Sequence, residues 1–453
     1  MCVKRRTVVL LVLAALLAVG LALLAWQFLR STTVARRSVT LPDGTVMELV
    51  GVSYGTQHIF HTGAMWERMI SHFAKMLSRG LQGVAQPLQI TTTNDSLCIW
   101  LRLRYANATQ RSYPEMVITD AEGASCGIGP SSTSRSLSRT EEYLGRCFQS
   151  FPRRSESLLL HVLQFDNQVG RQRRVATFAL RNPAERKFPE WKASPLPVSG
   201  RDGDLEFTLT RLVGGIDFRG DFGPDSRGQP RPVERRATNA LDSATLAAFR
   251  IADKGRALTN WQPVRIEAWD ATGNYLVNTS WRNEVRDDEQ RMIYQWGLWP
   301  NEPAWKLRVE FSRTSGFTPQ ELWTVKGLSL TNVVPQSQRN FGSASGLTPV
   351  TETNLMGSTL QIMPLLDRGG SGGPLDSVAL HIRINPPPSG LRLTLVSVTD
   401  ETGRSIERSG TSWSNDYYEF GLRNLQSKRS LELTLACHPS RYAEFIARPQ
   451  RLQ

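Results

Sequence analysis

The sequence predicts a mainly β chain: an N-terminal transmembrane helix, a short β-hairpin plus amphipathic helix, then three tandem β-sandwich modules. Three observations carry this. Residues 7–29 hold no charged side chain, over a length that spans the hydrocarbon core of a bilayer as a helix. The rest of the chain is dominated by short alternating apolar runs bounded by turn residues, with 35 glycines and 25 prolines in 453 residues. One pattern of strands and turns then recurs three times in the same order.

Residues 1–37 form the anchor region. Lys4, Arg5 and Arg6 stand before the apolar run, and Trp26 near its far end suits a membrane interface. The run is longer than the apolar stretch of a cleaved signal peptide, usually ~7–15 residues, so an uncleaved single-pass anchor is expected. Basic residues flank it equally on both sides. A long C-terminal region translocates largely regardless of charge, which places the N-terminus in the cytoplasm and the bulk outside it, in the periplasm or at the cell surface. The formal net charge is +13, of which +6 lies in residues 1–37 and +7 is spread over all the rest. That distribution fits a membrane partner reached through the N-terminal helix. A nucleic-acid partner, which calls for a concentrated basic face, is not expected.

Residues 38–86 read as a juxtamembrane element. Pro42-Asp43-Gly44 between two β-rich runs predicts a hairpin. Over 64–84, Met65, Met69, Phe73, Met76, Leu77 and Leu81 fall on one helical face, and Gly80 and Gly83 end it.

The modules are expected at 87–182, at 201–333 with an insertion at about 217–236, and at 355–453. A Pro-rich linker (183–200) separates the first two and a polar linker (334–354) the last two. Each module starts with a Leu-x-apolar run: Leu88-Gln89-Ile90, Leu205-Glu206-Phe207 and Leu360-Gln361-Ile362. In each, a strand then enters an Asp-x-x-Gly turn, at Asp120, Asp270 and Asp400. Aspartate supports such a turn through its own side chain and glycine takes the positive φ. An alternating strand follows, for example Trp305-Lys306-Leu307-Arg308-Val309, whose odd positions face inward. The last strand of each module lies at 175–180, 323–328 and 443–447. This pattern resembles the immunoglobulin-like sandwich architecture, although the Cys…Trp…Cys spacing of antibody domains is absent.

Motifs that carry chemistry are scarce. Gly370-Ser371-Gly372-Gly373-Pro374-Leu375 resembles the nucleophile loop of trypsin-like serine proteases, but Gly370 stands where that family has Asp and the Ala-Ala-His-Cys motif is missing. A Gly/Ser-rich loop accounts for the same residues. His58, His61 and His72 are the weak candidates for metal ligands. The repeated aspartates are expected to be structural, because a catalytic group is seldom needed three times. Seven of the 12 tryptophans fall in module 2. Trp281, Trp296 and Trp299 are the weak candidates for stacking on a ligand. Of the five cysteines, Cys98, Cys126 and Cys147 share module 1, and Cys126–Cys147 is the best pairing if a disulfide forms. Phosphate loops, dinucleotide fingerprints, CxxC and HExxH are absent. The expectation is therefore a non-catalytic interaction or scaffold protein with no cofactor and a protein or polysaccharide partner. The alternatives are a carbohydrate- or polymer-binding protein using module 2 and an enzyme with a site between module loops.

Overall fold

A computed structural model describes residues 37–60, 87–107, 114–126, 131–136, 138–166, 171–184, 187–217, 243–279, 282–286, 288–335, 348–368, 376–386, 390–414 and 417–451. The expected membrane helix (7–29), amphipathic helix (64–84) and most of the insertion near 217–236 lie outside these residues. Among the described residues no helix is long and apolar enough to cross a membrane.

The described chain is nearly all β-strand, in antiparallel sheets. The first unit contains β1 (Arg37–Thr40), β2 (Val46–Phe60), β3 (Leu88–Arg104), β4 (Glu115–Thr119), β5 (Ser131–Ser136), β6 (Glu141–Phe148), β7 (Ser157–Asp166) and β8 (Arg171–Arg181). It forms one sheet ordered β1-β2-β3-β6-β5 and a second ordered β4-β7-β8. Alternation turns one face of each sheet toward a shared core of Leu49, Leu97, Leu101, Met116, Leu160, Phe178 and their neighbours. The hairpin expected to stand apart from module 1 is thus built into it: β2 pairs with β3 along its length, from Val46↔Arg104 to Phe60↔Leu88.

The second unit contains β9 (Val198–Asp202), β10 (Leu205–Asp217), β11 (Ser243–Asp253), β12 (Arg256–Ala257), β13 (Trp261–Asp270), β14 (Tyr275–Thr279), β15 (Arg282–Arg286), β16 (Glu289–Gln295) and β17 (Trp305–Arg313). The remaining strands are β18 (Leu322–Ser329), β19 (Thr351–Leu355), β20 (Ser358–Ile362), β21 (Leu366–Asp367), β22 (Ser377–Asn385), β23 (Leu391–Asp400), β24 (Glu407–Ser414), β25 (Tyr417–Arg423), β26 (Ser430–Pro439), β27 (Arg441–Ala447) and β28 (Gln450–Arg451). The large sheets repeat the order of the first unit, as β9-β10-β11-β16-β15 and β19-β20-β22-β25-β24. Part of each expected linker is therefore strand, β9 at the end of 183–200 and β19 in 334–354.

The small sheets depart from the sequence reading. In unit 1 the last two strands, β7 and β8, pair with each other. In unit 2 the strand after β17 does not. β18 crosses to pair with β26, giving a sheet β18-β26-β23 in unit 3. The strand after β26 makes the return journey: β27 pairs with β17, from Trp305↔Ala447 to Phe311↔Arg441. Units 2 and 3 have exchanged their final strands. Apolar burial drives both halves of the exchange. Ala443, Phe445 and Ala447 enter the unit 2 core beside Phe249, Leu307 and Phe311. Leu328 and Leu330 enter the unit 3 core beside Leu395 and Leu433.

Units 1 and 2 meet through a buried polar joint. The Asn274 side chain reads the backbone of Phe151, accepting from its N–H and donating to its carbonyl. It also accepts from Arg153 Nε at 3.0 Å and donates to Asp270. The Arg154 Nε–H is shared between the two Glu302 oxygens, at 3.0 Å to each. Burial, with the nearby charge of Asp270, pushes the Glu302 carboxyl up to about 7 against the opposing pull of Arg154.

Candidate functional site

The three Asp-x-x-Gly turns explain themselves. In each, one carboxylate oxygen accepts the N–H groups two and four residues on: Glu122 and Ala124, Thr272 and Asn274, Thr402 and Arg404. In units 1 and 3 the second oxygen serves the surroundings. Asp120 Oδ2 accepts from Trp299 and Asn301 of unit 2, and Asp400 Oδ2 from Lys428. The recurrence is structural; Asp270 and Asp400 also accept from the hydroxyls of Thr272 and Thr402, where unit 1 has Glu122, and the second oxygen of Asp270 accepts from Asn274 within its own turn.

The strand exchange holds two sheet faces side by side, and a cleft of about 550 Å³ opens between them. The unit 2 wall is Gln262 and Val264 of β13, Asn278 of β14, Asn283 of β15, Gln295 of β16 and Ser312 of β17. The unit 3 wall comes from β23, β24 and β25, with Arg392, Thr394, Arg408, Thr411, Tyr418 and Phe420. Core-facing positions on these strands are apolar, so alternation turns the polar ones outward, and here outward means toward the neighbouring unit.

Arg392 is fixed by a bidentate pair with Glu310, both oxygens at 2.6 Å and both residues buried. Burial opposes the guanidinium charge, but the Glu310 contact raises its pKa overall. Burial likewise raises Tyr418, with Arg392 acting in the opposite sense. Asn283 donates to the Pro263 carbonyl at 2.8 Å, beside the register shift between Pro263 and Arg265. Its Oδ1 is buried with no hydrogen-bond partner among the described residues. An unpartnered buried acceptor costs about 1–3 kcal/mol, which a donor on a bound molecule would relieve. The cleft thus offers amides, hydroxyls and a guanidinium already paired with Glu310, while Tyr418 and Phe420 belong to the unit 3 core. No carboxylate lines it among the described residues.

At the edge of the unit 2–3 contact, His438 donates from Nδ1 to the Pro439 carbonyl, and its Nε2 accepts from Ser312 and Thr394. Burial holds this ring down to about 4, so it is neutral at ordinary pH.

The residues expected from sequence fall elsewhere. Trp299 is buried and spends its indole N–H on Asp120 at 2.8 Å, so it is part of the joint with unit 1 and not an open stacking platform. Trp296 is half-buried at φ +64°, with its Nε1 buried and unpartnered among the described residues. Trp281, His61 and His72 lie outside the described residues. His58 is fully buried on β2, its ring nitrogens each 2.8 Å from the hydroxyl of Ser53 or Ser96. The four cysteines described are unbonded, and Cys147 stands opposite Cys98 in the β3–β6 register, which argues against Cys126 as its partner. Cys126 is buried near Asp120, Asp270 and Glu302 at the joint. The cleft residues were not legible in advance, because polar side chains alternating on a strand look the same whether they face water or another unit.

No family model matches the chain, and no curated protein matches it in sequence. Among solved structures, a conserved domain protein from Bacillus anthracis aligns over 65% of this chain and 82% of its own, at 10% identity and a TM-score of 0.21. A score of that size does not indicate a shared arrangement.

Proposed function

We propose that the chain is a membrane-anchored, extracytoplasmic interaction or scaffold protein built of three immunoglobulin-like β-sandwich modules, with the N-terminal segment 7–29 as its anchor. The interlocking of the units supports this reading. A buried polar joint fixes unit 1 to unit 2, and exchanged strands fix unit 2 to unit 3. Fastened in this way, the units present their outer surfaces in constant relation, as a scaffold requires. The uncharged segment before β1 and the basic residues around it support the anchor.

A tag after Gln453 and protease shaving of intact cells tests the placement. Digestion without breaching the inner membrane is the expected result. Protection until that membrane is permeabilised would place the bulk in the cytoplasm and end the proposal.

The cleft favours a second reading, a glycan-binding protein. Its amide-rich unit 2 wall and the Asn283 oxygen, unpartnered among the described residues, suit hydroxyl donors along a sugar chain. Titration of the purified chain with oligosaccharides tests it. Asn283→Ala is expected to weaken binding about tenfold if one hydrogen bond of ~1.4 kcal/mol is lost. Unchanged affinity would remove the cleft from the account.

A further inference from the structure

The large sheet of unit 1 has a second buried face, away from the main core. Leu88, Ile90, Cys98, Trp100, Tyr143 and Cys147 gather there. Within this apolar patch three strands bring sulfur and nitrogen donors to one point. Cys98 on β3 is opposite Cys147 on β6 and opposite Ser53 on β2, so all three residues share the face. Between Gly55 and Gln57 the β2–β3 register slips, passing over residues 92–95 of β3. His58, just beyond the slip, hydrogen-bonds Ser53 and Ser96 beside the two thiols.

We propose that His58, Cys98 and Cys147 form a buried site for a thiophilic d10 cation, Zn²⁺ or Cu⁺. The imidazole nitrogen and the two sulfurs all lie within 4.8 Å of one another. Bonds of about 2.3 Å to sulfur and 2.0 Å to nitrogen put the ligand atoms of one ion roughly 3.5 Å apart, so side-chain rotation closes the gap. All three residues are fully buried. Burial keeps the His58 ring neutral, the form that ligates. Binding releases the two thiol protons: two R–SH and one Zn²⁺ give Zn(SR)₂ and two H⁺, and Cu⁺ gives Cu(SR)₂⁻ and two H⁺. Zn²⁺ leaves the pocket neutral, which suits its apolar wall better than the residual anion left by Cu⁺. One ring nitrogen takes the ion. The other donates its N–H to the remaining serine hydroxyl, Ser53 or Ser96, which fixes the ring.

The test uses the full chain, refolded under reducing conditions with Co²⁺ in place of the native ion and, separately, purified without chelator for elemental analysis. One cobalt per chain with a thiolate-to-cobalt charge-transfer band is expected. Cys98→Ser and Cys147→Ser should each abolish that band, and His58→Gln should shift the visible d–d bands. Elemental analysis should find one zinc or one copper per chain, which also separates the two ions. The wild-type spectrum needs no variant, so a variant that fails to fold does not rescue the proposal. A refolded wild-type chain with the Cys98 and Cys147 thiols both reduced and no cobalt band overturns it. So does a non-reduced chain lighter by two hydrogen atoms, metal-free, with Cys98 and Cys147 recovered as one linked peptide pair.

Discussion

Asn274 shows how much one side chain can carry. Fully buried, it mimics a strand partner for Phe151 and orients Arg153 at the same time. Asn274→Ala leaves the Phe151 backbone groups and the guanidinium without these partners, and each orphaned group costs about 1–3 kcal/mol. A loss of about 3 kcal/mol or more is expected in urea unfolding of the first two units, with the turn at Asp120 unaffected. Gly145 is constrained differently. It lies opposite Trp100, whose ring would sit 2.4 Å from an added Cβ. Gly145→Ala should cost about 1–3 kcal/mol by overpacking, read as a lower unfolding midpoint. His438 adds a pH dependence. Its folded pKa of about 4 lies below the ordinary 6.5, so the native state excludes a proton that the unfolded state binds. Its contribution is full above pH 6.5 and is lost as pH falls toward 4. His438→Gln should flatten that part of the stability curve, measured by denaturant midpoints across pH. Glu302 acts with the opposite sign, favouring the native state less as pH rises from about 4.5 to about 7.

At the level of elements, local pattern and tertiary pairing part company. The Asp-x-x-Gly turns were legible because their chemistry is confined to five consecutive residues. The inward positions of Trp305, Leu307 and Val309 were legible because alternation alone decides them, and all three are fully buried. The start of module 1 was misplaced because Leu88-Gln89-Ile90 resembles Leu205-Glu206-Phe207 and Leu360-Gln361-Ile362. The latter two begin or lie within the second strands, β10 and β20, whereas Leu88 begins the third strand, β3. The matching second strand in unit 1 is β2, which ends at Phe60 with twenty-seven residues between it and Leu88. Nor could spacing show that β18 and β27 trade places, since each has the same apolar alternation as the strand it replaces. Phe445 gives this a test. It is buried and packs on Phe249 of unit 2 with ring centroids 5.8 Å apart. Phe445→Ala should cost about 3–5 kcal/mol. The loss of hydrogen-exchange protection should appear first in β13 and β17, the strands nearest Phe445, before it reaches β23 and β26. Protection lost first in unit 3 would contradict the exchange.

For the whole molecule, the exchange makes units 2 and 3 one cooperative body, because neither core is complete without a strand from the other. A protease site inserted within residues 336–347 should nick the connection without separating the halves, which should still elute together by gel filtration. Calorimetry should show a single transition for the pair, with matching calorimetric and van't Hoff enthalpies. The same feature governs how the protein is made. Chains usually fold from the N-terminus as they emerge at ~5–20 residues per second. Unit 1 can follow that course. Unit 2 leaves the ribosome with an open sheet edge at β17 and must wait for more than a hundred further residues before β27 arrives to close it. During that interval the edge invites pairing with a neighbouring nascent chain. β27 therefore acts as a late-arriving clasp, and its synthesis, not that of unit 2 itself, sets the moment at which unit 2 can finish folding.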